Sequence, residues 1–127
     1  MRILLIEDNE DDAYLIRRLL SRSLLTKFHL QIVDELAAGL DLLASDGFDL
    51  ILLDLTVRDS FGLETLHKAQ ASVPDVPIVV MTSLSDEALG VKAVQLGAQD
   101  YLVKGEVDAH LLVRAINYAV ERKQTER

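Results

Sequence analysis

The sequence predicts an α/β fold in which a doubly wound parallel sheet carries helices on both faces. Two observations predict it. Five short segments rich in branched apolar residues alternate with five stretches of helical periodicity, the pattern of repeated βαβ units. Three of the strand segments are unbroken apolar runs, as strands covered on both faces are. The chain has 127 residues and is 50% hydrophobic, enough for one domain with a real core and too little for a second.

The first strand is read at Ile3–Ile6, and the helix after it shows Leu15, Ile16, Leu19 and Leu20 as one apolar stripe. The second strand, His29–Val33, is interrupted by Gln31 and suits a sheet edge; Leu36, Leu40 and Leu43 mark the next helix. The third strand, Leu50–Leu53, is followed by a less regular helical segment from Leu63 to Gln70. Pro74 and Pro77 fence the fourth strand, Ile78–Met81. Beyond it Ser85 stands where a helix cap belongs, with Asp86 and Glu87 in the first turn, Leu89, Ala93 and Leu96 as the stripe, and Gly97 where a left-handed residue closes the helix. The fifth strand, Tyr101–Val103, precedes a helix marked by Leu111, Leu112, Ala115, Ile116, Ala119 and Val120. Residues 1–120 thus form the domain, and 121–127, without an apolar residue to bury, read as a helix end or linker.

The formal net charge of -8 argues against a surface that tracks nucleic-acid phosphates or an anionic membrane. With no cysteine, a disulfide frame and a thiolate metal site are excluded, and His29, His67 and His110 are too scattered for a zinc cluster. Acid at Glu7 and Asp8 interrupts the apolar start before a signal peptide could form, and no apolar run approaches a bilayer span. A soluble, cytoplasmic protein is expected.

The informative feature is where the apolar runs stop. They end in Glu7-Asp8, in Asp54, in Thr82 and in Lys104. In an open parallel sheet the carboxyl ends of the strands share one edge, where ligands bind, so these five residues should converge. Singly, each has an ordinary reading: a capping or turn carboxylate for Asp8 or Asp54, a loop start for Thr82, a snorkelling amine for Lys104. Together they form a constellation that chance explains poorly. Three crowded carboxylates repel one another unless a proton or a cation intervenes, and a hard divalent ion such as Mg²⁺, with Mn²⁺ as the alternative, resolves the crowding. A carboxylate on the middle strand could then take a phosphoryl group in line, forming an aspartyl phosphate, with Lys104 and Thr82 reaching its oxygens.

On these residues the chain resembles a response-regulator receiver domain of the chemotaxis-regulator type, over nearly its whole length. The resemblance implies a flavodoxin-like sheet of strand order 2-1-3-4-5 with five helices. It implies Asp54 as phosphoacceptor, Asp8 as a direct metal ligand, Glu7 acting mainly through metal-bound water, and the Thr56 backbone carbonyl completing the ligands. It makes Thr82 and Lys104 the catalytic hydroxyl and lysine, and Thr82 with Tyr101 the switch pair that remodels the surface of the fourth helix, fifth strand and last helix. The implied partners are a sensor histidine kinase or phosphotransfer protein, and a downstream protein, a linked output module or a second copy of the chain. The only implied catalysis is of its own phosphorylation and dephosphorylation.

Two departures stand out. Gly105 replaces the proline that usually follows the lysine, so that loop should take another path. Arg58 replaces a proline in the loop after Asp54, which suggests a looser loop; Gly62 is retained. Leu84 and Thr56, each two residues beyond a site residue, occupy positions that gate water in this family, and apolar Leu84 implies a long-lived phosphoryl group.

Three rivals share parts of this pattern. A binding module of the same fold would need none of the acids. An aspartate-nucleophile phosphatase would carry its nucleophile on the first strand of a longer chain. A flavodoxin-like cofactor carrier would need a phosphate-cradling loop where Glu7-Asp8-Asn9-Glu10-Asp11-Asp12 stands.

Overall fold

Alternation along each strand decides which helices cover which face. In the computed structural model, which describes residues 1–126, Ile3 and Leu5 face one side of the sheet and Leu4 and Ile6 the other, and all four are fully buried. Arg127, part of the expected helix end or linker, lies outside the described residues. The five parallel strands are β1 (Arg2–Ile6), β2 (His29–Val33), β3 (Leu50–Asp54), β4 (Ile78–Thr82) and β5 (Asp100–Val103). Their order is β2-β1-β3-β4-β5, the predicted topology, with the strand carrying Gln31 at an edge.

Helices α1 (Glu10–Ser21) and α5 (Ala109–Thr125) supply Ile16, Leu19, Leu112 and Ile116 to the face of Ile3 and Leu5. Helices α2 (Leu36–Ser45), α3 (Leu63–Ser72) and α4 (Glu87–Gln95) supply Leu36, Leu43, Leu66, Ala69 and Ala93 to the other. Each fully buried Leu or Ile stabilises by roughly 1.5–3 kcal/mol, so the sheet is the rigid floor on which the polar strand ends stand. Among the described residues no helix is long and apolar enough to cross a membrane.

The helices depart from the sequence reading at Ser85, Leu96 and Leu15. Ser85 does not cap a helix: its hydroxyl pairs with that of Ser83 at 3.1 Å inside a 3₁₀ turn, Leu84–Asp86, and α4 begins only at Glu87. Leu96 sits at the C-cap of α4, past the stripe, and is 54% exposed; Leu15 also faces solvent, leaving Ala13, Ile16, Leu19 and Leu20 as the buried face of α1. Gly97, as predicted, follows α4 with a positive φ of 115°. At the far end α5 continues to Thr125 without apolar burial, because the Arg122 guanidinium donates to the carbonyl of Gln99, whose side-chain amide donates to Glu126 at 3.2 Å.

The loop after β3 is tied down rather than loose. Thr56–Val57 pairs antiparallel with Ser60–Phe61, and the Gly62 N–H donates to the carbonyl of Leu55 at 2.6 Å. Arg58, where proline was expected, makes ion pairs with Asp34 at 3.0 Å and Glu35 at 3.8 Å, contacts a proline could not make. Asp59 is more important. The N-cap residue of α2, Glu35, makes no side-chain cap bond, and Asp59 serves instead from across the chain: its Oδ1 accepts from the Leu36 N–H at 2.7 Å and its Oδ2 from Ala37 at 3.0 Å. The Ala37 N–H is the main reason its carboxyl is held below the usual aspartate range.

Replacing Asp59 by alanine removes this cap. At neutral pH it should cost about 1 kcal/mol, typical of a lost cap, and lower the thermal midpoint by about 4 °C. Because the native carboxyl is lowered, its contribution is present above the unfolded aspartate value of about 3.9 and is lost as pH falls through the lower native value. The gap between wild type and Asp59→Ala in urea unfolding should therefore close on acidification; a gap independent of pH would refute the ionic cap.

Candidate functional site

The four polar strand ends meet at the carboxyl edge of the sheet, around a cleft of about 290 Å³ lined by Asp8, Asp54, Thr82 and Lys104 among others. Register explains the convergence. Asp54 is the last residue of β3, opposite Met81 of β4, and Thr82, the last of β4, lies opposite Val103 of β5. Backbone bonds carry the line onward: the Glu7 N–H donates to Val33 and the Lys104 N–H to the carbonyl of Thr82 at 2.8 Å. Gly105 then turns the chain with φ at +89°, a region closed to proline, and no cis peptide bond occurs among the described residues. The loop after Lys104 does take another path.

Lys104 is the hub. Its Nζ lies 2.7 Å from Asp54 Oδ2, 2.6 Å from Glu7 Oε1 and 3.1 Å from Asp12 Oδ2. Glu7, Asp54 and Thr82 are buried, at 2%, 5% and 3% exposure. Asp54 Oδ1 accepts from the Thr56 N–H at 3.0 Å and Glu7 Oε2 from the Asn9 N–H at 3.2 Å, which orients both carboxylates. Burial, reinforced by the adjacent Asp54 carboxylate, pushes the Glu7 carboxyl up to about 8. Burial alone would lower Lys104, but Asp54 and Glu7 outweigh it and hold its ammonium above the usual lysine range.

The donors also suit a divalent cation. One oxygen from each of Glu7, Asp8 and Asp54 lies within 4.8 Å of the others. Among the described residues Glu7 Oε1 is close to the ammonium yet has no aligned hydrogen bond, and Thr82 Oγ1 has no partner. Buried polar atoms without partners are costly, and a set of hard oxygens beside them fits an ion of the Mg²⁺ class.

Tyr101 is engaged elsewhere. Its hydroxyl donates to Glu87 Oε2 of α4 at 2.9 Å, a bond that raises its pKa, and the ring lies so close to Gly90 that a Cβ there would come within 2.8 Å. All three histidines are exposed and none lines the cleft. Asp12 is the site residue that sequence reasoning passed over. A signal for it existed: Asn9 caps α1, accepting from the Asp12 N–H at 2.9 Å, and an acid three residues after a cap lies in the first turn, near the strand end that precedes it.

A family model described as the response regulator receiver domain matches residues 3–117. The chain belongs to this family. Receiver domains are signalling modules of two-component response regulators, and phosphorylation-dependent switching is their general function. This receiver is 36% identical over 119 residues to the swarming motility regulation protein RssB of Serratia marcescens, covering 92% of the chain and 53% of RssB. It is 42% identical over 74 residues to the regulatory protein LuxO of Vibrio vulnificus, covering 58% of the chain and 16% of LuxO. Among solved structures, full-length FixJ from B. japonicum superimposes with a TM-score of 0.85 at 28% identity, covering 97% of the chain and 59% of FixJ. The receiver thus spans about half or less of the length of these curated relatives.

The Glu7 carboxyl has a consequence for stability without divalent cations. Between the unfolded glutamate value of about 4.3 and about 8, the folded protein holds a proton that the unfolded chain releases, so stability should fall as pH rises. Glu7→Gln, which cannot ionise, should lose that slope and gain on the order of 2 kcal/mol over wild type at pH 8. Urea unfolding in chelator from pH 5 to 8 measures it; parallel profiles would rule the buried proton out.

Proposed function

We propose that Asp54 accepts a phosphoryl group from a histidine kinase or phosphotransfer protein, and that its arrival shifts the surface of α4, β5 and α5. The observation that carries this reading is the buried Asp54 carboxylate joined at 2.7 Å to Lys104, with Glu7 and Asp8 beside it at the sheet edge. Glu7, Asp8, Asp54 and the Thr56 carbonyl would hold Mg²⁺, or Mn²⁺ in its place. When bound, that ion supplies charge neutralisation at the transferring group's oxygens.

The chain's own groups account for the rest. Thr56 N–H fixes Asp54 Oδ1, and an Asp54 oxygen forms a bond to phosphorus as the phosphorus–nitrogen bond of a donor phosphohistidine breaks. The electron pair leaves with the imidazole, which takes up a proton. The Lys104 ammonium pairs with one phosphoryl oxygen, and the Thr82 hydroxyl, without a partner among the described residues, is available to donate to another. Hydrolysis returns the Asp54 carboxylate and releases inorganic phosphate as a water oxygen bonds to phosphorus. Movement of Thr82 would favour release of Tyr101 from Glu87, biasing the receiver toward a second conformer.

The reading takes 1–120 as the switch domain and 121–127 as a helix end or linker toward an output module or downstream protein. It places the protein in the cytoplasm, where such donors are recharged, with no direct role for nucleic acid or membrane and with a second copy of the chain as one candidate for the shifted surface.

Incubation with acetyl phosphate and Mg²⁺ should add one phosphoryl mass to wild type and none to Asp54→Asn, read by intact-mass spectrometry. Equal masses would favour a binding module that works in one fixed state.

Leu84, 64% exposed on the 3₁₀ turn beyond Thr82, should hinder the hydrolytic water. Leu84→Asn is expected to shorten the phosphoryl lifetime several-fold, and a longer lifetime in the variant would contradict that role.

A further inference from the structure

We infer that Asp12 is a displaceable anchor for Lys104, holding its ammonium in the resting pocket and releasing it when a phosphoryl group arrives; this rests on Asp54 being the phosphoacceptor.

A lysine ammonium has three N–H donors. In this receiver three acidic oxygens from three separate segments stand within 3.1 Å of it: Glu7 beyond β1, Asp12 on the first turn of α1, and Asp54 at the end of β3. Asp12 and Asp54 accept hydrogen bonds from it, and Glu7 Oε1 crowds its third side at 2.6 Å without an aligned bond. A phosphoryl oxygen that needs Lys104 must therefore take a place already held.

The three partners are not equally able to leave. Asp54 is itself the atom group that becomes bonded to phosphorus. Glu7 has no side-chain exposure and is also held by the Asn9 N–H, so withdrawing it would strand a buried acid. Asp12 makes the longest of the three contacts and its side chain is 37% exposed. It borders both the cleft and the adjoining recess with Gly105, at the pocket mouth. Once released, its carboxylate enters water while keeping its favourable place near the positive end of the α1 dipole. Asp12 is therefore the partner that yields. It is a positioning residue: it contacts the lysine, and no reacting atom.

Two effects follow in the resting protein. Asp12 fixes the ammonium where a donor will need it, and it also screens that charge from an approaching dianion. Asp12→Asn keeps the shape and removes the competing charge. With acetyl phosphate and Mg²⁺ it should gain phosphoryl mass about fivefold faster at sub-saturating donor, the size of one partly exposed charge pair. The half-saturating donor concentration should fall accordingly, the advantage should shrink with added salt, and Asp12→Glu should return to the wild-type rate. Before any donor is added, the ammonium resonance of Lys104, assigned against Lys104→Arg, should move in Asp12→Asn.

A purely structural Asp12 would lower the thermal midpoint when replaced and leave rate, half-saturation and resonance at wild-type values; that result overturns the anchor. Slower phosphorylation of Asp12→Asn overturns it as well. If wild type gains no phosphoryl mass, the phosphoacceptor reading falls and takes the displacement with it; if wild type is modified and Asp12→Asn matches it, the anchor alone falls.

Discussion

One ammonium group sits among the carboxylates that the strand ends bring together, and the arrangement of the site follows from it. Glu7, Asp8 and Asp54 crowd the same sheet edge, and like charges at such separation cannot all remain ionised in a buried pocket without compensation. Lys104 compensates two of them directly, and its own charge is secured in return. Burial, with the Asp54 carboxylate alongside, outweighs that compensation at Glu7 and pushes its carboxyl up to about 8, and one of its oxygens lacks an aligned donor among the described residues. A pocket built this way is prepared for further positive charge.

The scaffold makes that tension affordable. Among the described residues twelve large side chains, most of them on β1 and β3, are almost completely buried, so the strands that deliver the acids cannot relax apart to relieve the repulsion. Hydrogen bonds at the strand ends extend this rigidity by one residue, through Glu7 to Val33 and Lys104 to Thr82. At α4 the packing differs: a 3₁₀ turn precedes the helix and Tyr101 rests on a glycine.

Much of this was legible in the residues. Strand positions agree within one residue at each end because fully buried strands write themselves as apolar runs, and the first polar residue after each run marks the site; the strand order came from the family resemblance instead. Features governed by contacts distant in sequence were not legible. Nothing near Glu35 announces that Asp59 will cap its helix, and nothing in 121–126 signals that Arg122 will find the Gln99 carbonyl. Ser85 misled because a neighbouring serine offered its hydroxyl a closer partner than the helix did. Arg58 misled in the opposite sense: a residue judged by the proline it replaces was in fact making ion pairs of its own. Asp12 was counted with its acidic neighbours as repulsive charge, whereas the fold gives it a lysine 92 residues away.

The bond from Asp59 to α2 reaches beyond helix capping. Asp59 lies five residues after Asp54, on the segment that threads directly out of the pocket floor, and its two oxygens grip the opening turn of a helix on the far flank of β1. The segment and the helix therefore behave as one mechanical body. Any rearrangement of the backbone beneath Asp54 must either drag the start of α2 along or unfasten it, so this flank acts as a stay that resists deformation.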